Sequence, residues 1–109
     1  MGEALNWVPV GKIGDIEEED VIPFDFGADT YAVCRTKSGY YATDDFCTHE
    51  MAHLADGFVI GEVLECPLHQ GRFDIKTGKA LSPPVSVALR TYPVRIDGDR
   101  ILIGLPVGS

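Results

Sequence analysis

Apolar and polar residues alternate in short runs along this chain, and turn-forming residues separate the runs at close intervals. Thr30 to Arg35 is rich in β-formers, with Tyr31 and Val33 on one face and Ala32 and Cys34 on the other. Ser38-Gly39 then turns the chain into Tyr40-Tyr41-Ala42-Thr43, which predicts a hairpin. Further on, Tyr92, Val94 and Ile96 alternate, Asp97-Gly98-Asp99 supplies a turn, and Ile101, Ile103 and Leu105 alternate again. Two more strands are expected at Trp7 to Val10 and Val21 to Phe26, separated by the acidic stretch Asp15 to Asp20. Within that stretch Glu17-Glu18-Glu19-Asp20 reads as a solvated turn rather than a docking site. The 12 glycines and 7 prolines are spread along the chain and leave little room for helices of ordinary length. The pattern predicts an all-β, antiparallel fold.

Length and charge narrow the function classes. The 109 residues suit one small domain, 1–109, with no repeat, low-complexity segment or linker to divide it. Seventeen acidic residues against 9 basic ones give a formal net charge of −8, and no Lys/Arg cluster interrupts it, so nucleic acid is not an expected partner. No apolar run approaches the roughly 20 residues of a membrane span, and Met1-Gly2-Glu3-Ala4-Leu5-Asn6 has neither a basic nor an apolar leader segment. A cytoplasmic protein that makes no membrane contact is expected. In that compartment three cysteines are thiols or metal ligands rather than a disulfide framework.

The middle of the chain, Asp44 to Gly78, breaks the strand pattern and holds all 3 histidines and two of the 3 cysteines. It is expected to be an insertion, at about residues 45–78, into a scaffold whose end strands pair around it. Two short motifs lie there, Cys47-Thr48-His49 and Cys66-Pro67-Leu68-His69, with residues 50 to 65 between them. A tetrahedral zinc ion could use these four side chains, although structural zinc sites usually pair like ligands in sequence. Here each motif offers one thiolate and one imidazole, which suits a two-iron centre with two Cys on one iron and two His on the other.

The spacing Cys-x-His, a gap of 16 residues, then Cys-x2-His resembles the signature of Rieske proteins, whose [2Fe–2S] cluster has two His in place of two Cys on one iron. Phe46-Cys47-Thr48-His49, Cys66-Pro67-Leu68-His69-Gln70-Gly71-Arg72-Phe73-Asp74, Thr77-Gly78 and Ser82-Pro83-Pro84 resemble the cluster loops of bacterial Rieske ferredoxins. The resemblance implies an antiparallel Rieske-type β-sandwich or barrel with an inserted cluster-binding subdomain. It also implies one [2Fe–2S] cluster on Cys47, His49, Cys66 and His69. The implied function is a one-electron carrier, likewise a monomer, that moves electrons from a flavoprotein ferredoxin reductase to a terminal oxygenase of aromatic catabolism. Ala52 and Leu68 stand where high-potential members carry a disulfide, and Gly71 and Phe73 stand where those members place Ser and Tyr hydroxyls near sulfur. A potential toward the bottom of the Rieske range, roughly −150 to +300 mV, is therefore expected.

An oxygenase's mononuclear iron needs two further His, but only His53 remains, and no Gly-x-Gly-x-x-Gly fingerprint is present for a dinucleotide. The chain is thus expected not to be an enzyme by itself. Two alternatives stay open: a tightly bound redox subunit resembling the nitrite reductase small subunit, and a zinc-stabilised interaction module. Among single residues, His53 is expected to be a loop or packing residue, Cys34 a small core residue, and Tyr40 and Tyr41 packing residues. Trp7 is expected to be a core or edge anchor. Arg72 and Asp74 are read as solvated strand residues that could meet each other or a partner, and Met51, Leu68, Pro83 and Pro84 as an apolar rim.

Overall fold

The alternation around Tyr31 has a structural consequence that organises the whole molecule. In the computed structural model, which describes residues 4–48, 52–68, 70–83 and 85–107, both faces of this strand are buried, each in a different core. The strands in chain order are β1 (Leu5–Lys12), β2 (Asp20–Phe26), β3 (Asp29–Thr36), β4 (Gly39–Asp44), β5 (Phe58–Ile60) and β6 (Val63–Glu65). They continue with β7 (Arg72–Asp74), β8 (Ala80–Ser82), β9 (Thr91–Tyr92), β10 (Val94–Asp97) and β11 (Arg100–Pro106). Among the described residues they form three antiparallel sheets, ordered β1-β11-β10, β2-β3-β4-β9 and β5-β6-β7-β8, and the helical content is a single 3₁₀ turn, Leu54–Asp56.

Tyr31 and Val33 pack with Val8, Ile101, Ile103 and Leu105 of the β1-β11-β10 sheet. Ala32 and Cys34, on the opposite face, pack with Leu54, Val59, Leu64 and Phe73 of the middle segment. A period of two residues makes this division possible, since successive Cβ atoms leave a strand on opposite sides. The expected pairing of the end strands is present: β1 lies beside β11 and β9 beside β4. Residues 58–82 between them form their own sheet, which runs past the expected end of the insertion.

The other expected strands form and run past their alternating stretches, because ladder hydrogen bonds carry regular backbone past the last patterned side chain, but the expected run from Tyr92 to Ile96 divides at Pro93, which has no N–H for a ladder: Tyr92 ends β9 beside β4, and Val94–Asp97 is β10 beside β11. Of the two expected hairpin turns, the first is displaced by one residue and the second falls within its expected stretch. Thr36 pairs with Gly39, so Lys37-Ser38 forms the tip, with the Ser38 N–H donating to Thr36 Oγ1 at 3.1 Å. Asp97 pairs with Arg100, leaving Gly98-Asp99 at the tip and Gly98 in the left-handed region at φ 64°. The acidic connection is not wholly solvated: Ile16 is fully buried, and Arg35 Nη1 donates to its carbonyl at 2.9 Å. Glu19, at φ 60°, accepts the Gly61 N–H at 3.0 Å and ties this connection to the β5–β6 turn.

Candidate metal centre

Cys47 and Cys66 lie 19 positions apart in sequence, yet both are buried thiols of one hydrophobic cluster, at 5% and 1% exposure. Each begins a loop closed in the same way. The Cys47 N–H donates to the Ala52 carbonyl at 2.9 Å, and the Cys66 N–H donates to the Gly71 carbonyl at 2.7 Å. A bond from residue i to the carbonyl of i+5 fixes both ends of a six-residue loop, with the thiol at its start and one histidine of the sequence within it. His49, Met51, His69 and Pro84 lie outside the described residues.

The second loop needs glycine at its end. A Cβ on Gly71 would stand 2.5 Å from Val85 Cγ1, so Val85 occupies the space of a side chain. Gly78, at φ 78°, faces a tighter limit, because a Cβ there would stand 2.1 Å from the Leu89 carbonyl oxygen, and the Leu89 N–H in turn donates to the Gly78 carbonyl at 2.8 Å. Val85 and Leu89 are buried in the same cluster as the two thiols. Thr48 Oγ1 donates to the Val87 carbonyl at 2.7 Å, linking the first loop to this segment. The 85–89 segment is thus a third wall, and sequence reading, which stopped at the prolines, missed it.

The base of the first loop is held by a group that sequence reading also missed. Asp45 is 1% exposed, and its carboxylate accepts the Ala55 N–H at 2.9 Å and Thr30 Oγ1–H at 3.2 Å. His53 Nδ1 lies 2.5 Å from Asp45 Oδ2, and the imidazole leans on the Phe46 ring with centroids 4.7 Å apart. A carboxylate only accepts, so Nδ1 carries the proton. The hydrogen bond that His53 donates to Asp45 raises its pKa above the usual imidazole range; burial opposes this, and the charges of Asp45, Asp56 and Asp25 add to it. His53 is therefore more specifically engaged than a generic loop residue.

The other single-residue expectations fare variously. Cys34 is a core thiol, pushed up to about 12 by burial and then by Asp20. Trp7 is an edge anchor, half-buried against Gly104 with the Arg95 guanidinium 4.2 Å from its ring centroid. Tyr40 and Tyr41 pack against the two cores and hydrogen-bond to the Ile13 carbonyl and the Ser38 hydroxyl. Arg72 and Asp74 do not meet: Arg72 Nε donates to Glu65 Oε1 at 2.9 Å, while Asp74 Oδ1 accepts the Lys76 and Thr77 N–H groups. Leu68 and Pro83 are exposed, as a rim requires, and so are Phe46 and Val87.

Two soft thiol donors starting two similarly closed loops, each loop carrying an imidazole in its sequence, fit a [2Fe–2S] group in donor type and number. The comparisons with known proteins agree. A family model described as Rieske [2Fe-2S] domain matches residues 6–93. The ferredoxin component of the naphthalene 1,2-dioxygenase/salicylate 5-hydroxylase systems of Ralstonia sp is 43% identical over 98 residues, covering 90% of this chain and 94% of that protein. Among solved structures, the Sphingomonas yanoikuyae B1 ferredoxin superposes with a TM-score of 0.86 at 31% identity, covering 93% of this chain and 100% of that one. A chain from the complex of reduced oxygenase and oxidized ferredoxin in carbazole 1,9a-dioxygenase superposes with a TM-score of 0.85 at 34% identity, covering 89% of this chain and 91% of that one.

Proposed function

The chain belongs to the Rieske [2Fe-2S] domain family, and from that premise we propose that it is a one-electron carrier between a flavoprotein reductase and a terminal oxygenase acting on an aromatic compound. It is a carrier rather than a catalyst. The observation that supports this most is the pair of closed loops whose first residues, Cys47 and Cys66, share one core. In this reading Cys47 and Cys66 bind as thiolates and His49 and His69 as imidazoles. When bound, the cluster supplies a couple that takes up and releases one electron. Val85 and Leu89 keep water from the thiol side, and the exposed Leu68, Phe46 and Val87 offer a small apolar surface for brief contacts with partners. Residues 1–109 act as one Rieske domain with its cluster-binding insertion at about 45–78, working as a cytoplasmic monomer.

Metal content and electron flow test the proposal. Purified protein is expected to be red-brown, with iron and acid-labile sulfide in equal amounts, and to carry electrons from a flavoprotein reductase to an aromatic-ring oxygenase. His69→Ala is expected to abolish the visible and reduced-state EPR spectra. A colourless protein with one zinc per chain, or unaltered spectra in His69→Ala, would overturn it.

A further inference from the structure

Residues 45–47 and 52–55 run antiparallel as a short ladder at the base of the first ligand loop. Phe46 and His53 form an isolated bridge, the Leu54 N–H donates to the Asp45 carbonyl, and the Cys47 N–H donates to Ala52. Two strands this short hold poorly by backbone bonds alone. The side chains of Asp45 and His53 lie across the same ladder, and their contact is a side-chain ion pair that joins its two limbs. Asp45 also reaches outside it: Thr30 Oγ1, at the start of β3, donates to its carboxylate, and its own N–H donates to the Thr30 carbonyl at 3.3 Å. Each end of the carboxylate thus has a task, Oδ1 on the Ala55 N–H and Oδ2 on Thr30 and His53.

We propose that Asp45 and His53 are positioning residues for electron transfer: they clamp the two limbs of the first ligand loop to β3 and so hold Cys47 at the geometry the cluster requires. This rests on the carrier reading above. The Asp45 side is buried and shared with the fold, whereas the His53 side chain is 49% exposed and adds little to the core. His53 therefore separates the clamp from general stability. An Asn at this position places its Nδ2 where His53 has Nδ1 and keeps a donor to Asp45, while Ala removes it.

The test compares His53→Ala and His53→Asn as cluster-loaded proteins with the wild type. In His53→Ala, cluster loss to an iron chelator, followed by visible absorbance well below the unfolding temperature, is expected to be faster by about tenfold, the scale of one charge-assisted hydrogen bond. Its reduced-state EPR lines are expected to broaden, with little change in thermal midpoint. His53→Asn is expected to restore both properties. Wild-type cluster loss and EPR lines in His53→Ala would overturn the clamp, as would a His53→Asn protein that behaves like His53→Ala. A wild type that takes up no iron and sulfide would overturn the carrier reading and the clamp together, so the two failures are distinguishable.

Discussion

Cys34 shows how a single residue can look chemical and be structural. It shares a hydrophobic cluster with Cys47 and Cys66, but it sits mid-strand on β3, fully buried, with its thiol pushed up to about 12 from 9.0. In the unfolded chain the thiol ionises near 9.0, while in the folded protein it stays neutral until about 12. Its contribution to stability is thus complete below the lower value and is lost as pH rises through the window. Across that window the wild type is expected to lose stability more steeply than Cys34→Ala, by about 1 kcal/mol per pH unit, as chemical denaturation at stepped pH would show. Gly71 and Phe73 carry a second residue-scale expectation. Neither has a hydroxyl, Val85 fills the space where a Gly71 side chain would begin, and Phe73 is fully buried. Without such donors the reduced, more negative cluster is less stabilised, and a negative midpoint potential is expected in protein-film voltammetry.

At the scale of elements, the loops depend on a few backbone positions that no other residue can take. Gly78 combines φ 78° with a carbonyl oxygen 2.1 Å from where its Cβ would be, whereas Gly98, at φ 64°, has open space around it. Gly78→Ala is expected to destabilise the protein by more than about 2 kcal/mol, and Gly98→Ala by about 1 kcal/mol, in urea titrations. From sequence both glycines read as turn residues, Gly78 in a stretch that resembles a cluster loop and Gly98 in a hairpin. The difference arises because the β7–β8 turn lies against the chain at Leu89, and the β10–β11 turn lies against solvent. The hairpins themselves were legible, since alternation and turn chemistry are local properties. The ladder under the first ligand loop was not, because Asp45 and His53 are polar residues in an irregular stretch with no period to mark them.

Over the whole molecule, two cores meet at β3, and the two candidate thiol ligands, Cys47 and Cys66, lie in one of them. Removing the cluster is expected to lower amide hydrogen-exchange protection in β5, β6 and β7 well before that in β1, β10 and β11. A uniform loss would show that the two cores behave as one unit. The net charge of −8 belongs to the same scale. Basic patches are expected on the partners, and the apparent affinity for the reductase should fall as sodium chloride is raised.

The sequence by itself determined the all-β class, the alternating faces of β3 and the Cys-His spacing that marks the family, because each is carried by near neighbours or by a fixed count of residues. Tertiary structure alone decided that the two faces of β3 serve different cores, that Val85 and Leu89 share a core with the thiols, and that a buried aspartate reaches a histidine eight positions away. Those contacts depend on which sheets meet and how closely they approach. Such distances are set by packing over the whole chain, and no local pattern records them.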